Sequence, residues 1–335
     1  MDSARFVAAP RTPAAPAAER HRAASLPPRD PELWGPLASV LDASVTDLFL
    51  NGDGRVWCDR GEGTVEVPGL HIDREASRRL AMRLVASGDR HVDEATPCQD
   101  VRLPGGLRVH AVLPPVASGG ALISVRQARA TPFSLVELAA QGAFERVPQT
   151  VLSELVWRRA NLLVTGAAGS GKTTLLAALL AEAPPHERIV LLEDVAELRV
   201  DHPHLVALEA RQANLDGAGA IGLDRLVREA LRMRPDRIVV GEVRGGELRE
   251  LLQALNTGHD GGAGTLHANS LHDVPARLEA LGSLAGLEPA ALARQAVSAF
   301  DAVIHIERDA AGVRRVAALG HLRLEGDRLG VDEAP

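Results

Sequence analysis

The sequence predicts an α/β protein with a mainly parallel sheet, preceded by a smaller α+β unit. Three observations carry that reading. From about Val151 onward, short apolar runs alternate with helical patterns, the way parallel strands are connected. Ahead of them, residues 30–127 read as short strands punctuated by Gly and Pro around one amphipathic helix. The length, 335 residues, fits about two domains of roughly 150 residues each. With 46% hydrophobic and 24% charged residues the chain can build packed cores, which excludes a wholly disordered protein.

Taken in order, residues 1–29 predict a solvated tail: Ala and Pro supply 14 of the 29, and the only acids are Asp2 and Glu19. Pro10, Pro13 and Pro16 would break the helix a transit peptide needs, and no apolar stretch resembles a secretory signal. Contact with an anionic lipid surface is the better expectation for this arm. From Asp30 a helix leads into a short strand that ends at the turn Asn51-Gly52-Asp53-Gly54, and Arg55–Gly61 forms the second arm of a hairpin. Residues 73–88 place Leu80, Leu84 and Val85 on one helical face with arginines opposite, and Gly88 just past the end. VRLPGG, LRVHAVLPP and ALISVRQA follow as three strands. Residues 128–150 read as a linker with one short helix. In 151–335 the strands are NLLVTG, RIVLLED, DRIVVGE, GAGTLHA and DAVIHIE, separated by helices such as KTTLLAALLAEA and GGELRELLQALNT.

Between the first of these strands and its helix stands Gly166-Ala167-Ala168-Gly169-Ser170-Gly171-Lys172-Thr173, followed by Thr174. The string matches G-x-x-x-x-G-K-[ST] in its proper strand–loop–helix context. Glycines let backbone N–H groups curl around phosphate oxygens without Cβ clashes, and the helix N-terminus adds a favourable dipole. Lys172 should reach the β- and γ-phosphates, and the Thr173 hydroxyl should bind Mg²⁺. Among 37 basic residues Lys172 is the sole lysine, and it fills the one slot that requires a compact ammonium.

Three further positions carry chemistry. DRIVVGE delivers Glu242 to the ligand end of a parallel strand, where a carboxylate can orient an attacking water. The preceding position, where a magnesium-supporting Asp is usual, is Gly241, so another acid must help; LLEDVAEL offers Glu193, Asp194 and Glu197. GTLHANS puts His267 after another strand, where an imidazole could sense the γ-phosphate. His202 and His204 lack a third ligand, and Cys58 and Cys98 are too few for a zinc site or a disulfide framework, reading instead as reduced thiols.

In GAAGSGKTTLL, RIVLLEDVAEL, LRMRPDRIVVGEVRGGE and NTGHDGGAGTLHANS, in that order, the chain resembles the secretion ATPases of the type II/type IV superfamily, closest to the Tad/CpaF pilus-assembly branch. A looser similarity extends over VTDLFLNGDGRVWCDRG, GDRHVDEATPCQDVRLPGGLRVHAVLPP and ALISVRQA. The resemblance implies a RecA-like P-loop ATPase domain behind a PAS-like domain that clamps the nucleotide. It implies a cytoplasmic homo-hexamer using ATP and Mg²⁺, peripherally docked on an inner-membrane platform protein. It maps γ-phosphate arginines onto Arg108 and Arg126, and less directly onto Arg90 and Arg102. It strengthens His267 as a γ-phosphate reader and Glu193 as support for metal, directly or through water.

The departures are local. Pro104-Gly105-Gly106-Leu107-Arg108-Val109 stands where the family reads PDGSRV, Gly261-Gly262 replaces Gly-Ser, and the four-cysteine module of the type II branch is absent. The chain ends soon after the ATPase core. The leading expectation is therefore an ATPase that powers Tad/Flp-type pilus assembly or a related secretion system. The alternatives are an ATP-gated assembly switch with slow hydrolysis and a conjugative DNA-transfer ATPase. A net charge of -7 and 2% aromatics weigh against a nucleic-acid-coating protein.

Overall fold

A computed structural model describes residues 30–61, 63–127, 132–211, 219–309 and 312–334; the expected N-terminal tail lies outside them. The chain opens with a short helix α1 (Pro31–Trp34), then β1 (Asp47–Leu50), β2 (Arg55–Asp59), β3 (Thr64–His71), α2 (Arg74–Ser87), β4 (Cys98–Leu103), β5 (Leu107–Val112) and β6 (Leu122–Gln127). These six strands form one sheet in the order β3-β2-β1-β6-β5-β4, all neighbours antiparallel. Its core collects Leu48, Val56, Val109, Ile123 and Val125 beneath Leu80, Leu84 and Val85 of α2. Asp73 caps α2 by accepting from Glu75 N and Ala76 N, the arrangement expected where a carboxylate meets the first-turn amides.

The opposite face of this sheet is polar for a simple reason. Side chains alternate along a strand, so burying Val101, Val109 and Val125 turns Arg102, Arg108 and Arg126 outward. Arg108 stands directly across from Arg102 on one side and from Arg126 on the other. Like charges in such a row repel, and acids must answer them.

The second sheet follows α3 (Leu135–Ala140) and α4 (Gln149–Trp157). It comprises β7 (Leu162–Gly166), β8 (Ile189–Glu193), β9 (Leu205–Glu209), β10 (Arg237–Val240), β11 (Ala263–His267), β12 (Ala302–Arg308), β13 (Arg314–Glu325) and β14 (Arg328–Glu333). The helices between them are α5 (Lys172–Ala181), α6 (Leu223–Ala230), α7 (Glu247–Leu255), α8 (Val274–Leu284) and α9 (Pro289–Ala299). The order is β14-β13-β12-β7-β11-β10-β8-β9; from β12 to β9 every pairing is parallel, and β12-β13-β14 is an antiparallel meander. Successive residues of a strand bury on opposite faces: Leu163, Val190 and Leu192 join α6–α9, whereas Leu162, Val164 and Leu191 join α3–α5. Strands covered on both faces read as continuous apolar runs.

Four strands, β3, β9, β13 and β14, escape the sequence reading. β3 contains Pro68 and Gly69, is an edge strand and leaves most of its residues exposed, so it carries no alternating pattern. β9 is the other sheet's edge, likewise without a fully buried face. The long β13 runs unbroken through Gly320, where a Cβ would meet the Asp332 carbonyl of β14 and the Leu271 side chain, and β14 completes the meander. Residues 128–131 of the expected linker lie outside the described residues; the rest holds α3 and the start of α4, because Ser134 and Glu137 form a reciprocal capping box.

The core beside β10 holds buried charges. Arg237, 2% exposed, donates from Nε to Glu187 at 2.5 Å, and Arg159 donates to the other Glu187 oxygen at 3.1 Å. The guanidinium of Arg237 also donates to the carbonyl of Val156 at 2.8 Å. Removing the carboxylate strands a buried cation, so Glu187→Ala should cost about 3–5 kcal/mol. Chemical denaturation of the variant against wild type measures this.

Candidate active site

Parallel strands end at the same edge of a sheet, and here four of those ends carry the chemistry. β7 runs into Gly166–Gly171, β8 ends on Glu193, β10 is followed by Gly241 and Glu242, and β11 ends on His267, directly beside Gly166. The loop is tightly determined. A Cβ at Gly166 would strike the Ile306 carbonyl, and Gly166 and Gly171 hold φ of 156° and 100°. Ala167, Ala168 and Gly169 are exposed, Ser170 is buried, and Thr173 and Thr174 are half-buried in the first turn of α5. The Ser170 hydroxyl is buried without a hydrogen-bond partner among the described residues. Glycine-lined backbone, a helix N-terminus and a buried ammonium fit a phosphate chain.

Lys172 Nζ donates to the carbonyls of Gly166 at 2.9 Å and Ala167 at 2.8 Å, and to Nδ1 of His267 at 3.2 Å. With Nδ1 accepting, the other ring nitrogen carries the proton and faces Glu242 Oε1 at 3.2 Å. The imidazole is therefore neutral. Burial and the neighbouring Lys172 charge lower its pKa, against the opposing pull of Glu242. Burial likewise lowers the pKa of Lys172. His267 thus stands between the phosphate-loop lysine and the expected water-orienting carboxylate.

Glu193 answers the glycine at position 241. A Cβ on Gly241 would lie 2.6 Å from Glu193 Cγ, so the space that an aspartate side chain would enter is filled from the adjacent strand. One Glu193 oxygen accepts from the amides of Glu197 and Leu198, each at 2.9 Å. Burial pushes its carboxyl up to about 7, outweighing those two hydrogen bonds. Among the described residues no cluster of three His, Cys, Asp or Glu could hold a metal ion by itself. Magnesium suits such a site, because it commonly keeps waters and binds one or two protein groups together with substrate phosphates. Of the residues expected to hold it, Thr173 lies in the first turn of α5 and Glu193 ends β8.

The three outward arginines meet acids of the second sheet. Arg108 is paired with Asp100 on β4 and reaches Glu197 at 3.4 Å; Arg126 is 4.0 Å from the same Glu197 oxygen. Arg102 donates to Glu209 at 2.9 Å, and Arg199 donates to the Gly105 carbonyl at 2.7 Å. Gly106 holds a φ of 79°, which favours glycine, and the Arg199 guanidinium rests where its Cβ would be. The altered Pro104–Arg108 turn is thereby a docking point between the sheets. Arg108 and Arg126 are tied to Glu197 in the segment that Glu193 caps, whereas Arg90 shares no ion pair with these acids.

Other candidates resolve plainly. The His202 ring bonds to the Pro184 carbonyl at 3.1 Å, and His204 accepts from Arg188 at 2.9 Å, so both are structural. Cys58 is buried and Cys98 exposed, both as free thiols. Sequence reasoning missed two groups. Arg244, two residues past Glu242, donates from Nε to Asp194 at 2.8 Å and lies 3.9 Å from Glu242; its nearness in the chain was the available signal. The Thr265 hydroxyl donates to the Gly241 carbonyl at 2.6 Å and pins the turn that presents Glu242.

A parallel sheet whose central strand enters a glycine-rich loop closed by lysine defines a P-loop protein. The chain belongs to the type II/IV secretion system protein family, whose profile matches residues 32–313. It is 49% identical over 302 residues to a putative conjugal transfer protein of Mycobacterium tuberculosis, covering 88% of this chain and 86% of that one. It is 33% identical over 288 residues to the conjugal transfer protein TrbB of Rhizobium radiobacter, covering 84% of each. The pilus retraction motor PilT, solved with ADP, shares the fold: TM-score 0.59 at 20% identity, over 88% of this chain and 80% of that one.

The raised Glu193 carboxyl has a consequence for stability. In the unfolded chain it ionises near 4.5, in the folded protein near 7, so between these values folding retains a proton that the unfolded state loses. Stability should therefore fall as pH rises from about 4.5 to 7 and level off above. Glu193→Gln, which keeps an acceptor for the two amides, removes this dependence. Its advantage over wild type should grow to about 3 kcal/mol between pH 5 and pH 8, read from nucleotide-free denaturation curves.

Proposed function

We propose that the protein is an Mg·ATP-hydrolysing motor that powers a secretion or Tad/Flp-type pilus-assembly machine. One observation carries the reading: Lys172 donates to His267, and the far ring nitrogen of His267 lies 3.2 Å from the Glu242 carboxylate, at the mouth of the phosphate loop. In this proposal the amides of Gly166–Thr174, including those of Ala167, Ala168, Gly169 and Ser170, hold the phosphates. Lys172 meets the β/γ oxygens. Glu242 orients the attacking water, and neutral His267 keeps that carboxylate aligned with the γ-phosphate. Magnesium, when bound, neutralises phosphate charge; Thr173 would hold it, with Glu193 behind, directly or through water. Catalysis of this kind is positioning and electrostatics.

The proposed division is an N-terminal PAS-like clamp at 30–127, a hinge at 128–150 and a RecA-like ATPase domain at 151–335. Arg108 and Arg126 would pass from Glu197 to the γ-phosphate as the clamp closes. Exposed ion pairs contribute only about 0–1 kcal/mol each, so exchanging them during a cycle costs little. We take the working assembly to be a cytoplasmic homo-hexamer on an inner-membrane platform protein. Among the described residues no helix is long and apolar enough to cross a membrane, and any contact with lipid would be peripheral.

A second reading, a motor for conjugative DNA transfer, is favoured by the names of the relatives at 49% and 33% identity. Both readings share the same ATP chemistry.

Phosphate release by the full-length protein, together with its mass in solution, tests the proposal. Glu242→Gln should bind ATP within a few-fold of wild type yet lose roughly 10²–10⁴-fold in turnover, whereas Lys172→Ala should lose binding itself. ATP binding without wild-type turnover in any oligomeric state would replace the motor with the slow assembly switch. Turnover stimulated by DNA and suppressed steeply by salt would select the conjugative reading.

A further inference from the structure

β7 lies between β11 and β12, so the phosphate loop has two flanks. On the β11 flank stand His267 and Glu242, the groups assigned to the γ-phosphate end. A nucleotide laid along the loop with that end toward Glu242 turns its other end toward β12 and β13. On that flank the hairpin of β12 and β13 touches the loop itself. Arg314 Nε donates to the Gly169 carbonyl at 3.2 Å, across 145 residues of sequence. Its Cδ lies 2.9 Å from where a Cβ of Gly171 would be, so the arginine stem rests on the loop at a position that only glycine leaves open.

Electrostatically the flank is incomplete. Arg308 stands directly opposite Arg314 across the β12–β13 ladder, a like-charge pairing that is unfavourable by itself. The next residue shows what a satisfied arginine looks like here: Arg315 pairs with Glu145 and, at 3.2 Å, with Asp309. Among the described residues no ion pair involves Arg308 or Arg314. Arg314 is exposed in part, yet the desolvation of its stem against the loop, and then the Arg308 charge, lower its pKa. A guanidinium that spends one N–H on Gly169 still offers a planar fork of donors, which suits phosphate oxygens.

We propose that Arg314, backed by Arg308, binds the α-phosphate of the nucleotide, which makes the β12–β13 hairpin part of the nucleotide site. The inference rests on the ATP-binding reading above. The contact is to a phosphate that stays in place throughout hydrolysis, so it stabilises bound ATP and bound ADP alike. Arg314 is then a binding group for ground state and product, and its loss acts on KM far more than on kcat.

The test compares full-length wild type, Arg314→Ala and Arg314→Lys. Three quantities are measured: KM and kcat for Mg·ATP, the affinity for ADP, and the affinity for pyrophosphate, which fills the loop without a third phosphate. Loss of a charge-assisted contact should raise KM and weaken ADP by roughly 10- to 100-fold in Arg314→Ala. Its kcat and its pyrophosphate affinity should stay within about 3-fold of wild type, and Arg314→Lys should recover part of the loss. Unchanged ADP affinity in Arg314→Ala overturns the inference and leaves the ATP reading intact. Parallel loss of ADP and pyrophosphate also overturns it, because the hairpin would then merely prop the loop. A wild type that binds neither ATP nor ADP overturns the ATP reading, and this inference with it.

Discussion

The site is organised by one ammonium group. Lys172 Nζ holds the Gly166 and Ala167 carbonyls and a nitrogen of His267, whose other ring nitrogen lies 3.2 Å from Glu242. A buried cation needs several acceptors, and the fold supplies them from two strand ends that lie side by side. Everything else at this edge follows from that demand. The loop must curl back for its carbonyls to be reached, the imidazole must be neutral to accept, and Glu242 must lie on the far side of the ring. A lysine can do this because its charge is compact; an arginine's planar fork could not enter the same space.

A second layer connects this edge to the N-terminal sheet, and it is built differently. Glu193 is buried and capped by main-chain amides, so it is rigid; Glu197, four residues later, is partly exposed and holds arginines of the other sheet. The transition from buried hydrogen bonds to exposed ion pairs therefore falls within one short segment. Contacts of the first kind resist rearrangement, whereas those of the second kind exchange with water at small cost. A polar junction of this sort suits two bodies that move relative to each other.

Much of this was legible in the chain. The phosphate loop is a contiguous motif with its strand and helix attached, and the fully apolar strands NLLVTG, RIVLLED and DRIVVGE announce burial on both faces. The exposed edges β3 and β9 could not be read, because a strand without a buried face leaves no periodic signature. The same holds for pairings between distant residues. Nothing near Gly241 in sequence says that Glu193 fills its space, and nothing near Gly169 points to Arg314.

By itself, then, the sequence determined the chemistry that lies within short stretches: the loop, its lysine, the carboxylates and the histidine at strand ends. Local residue types suffice there because backbone conformation and neighbouring side chains are set within a few residues. Only the tertiary structure decided who meets whom. Strand order set β11 on one flank of the loop and β12–β13 on the other. It brought Glu193 against Gly241 and turned a row of arginines toward Glu197. These outcomes depend on how strands separated by many residues pair and pack, and that balance is struck across the whole core.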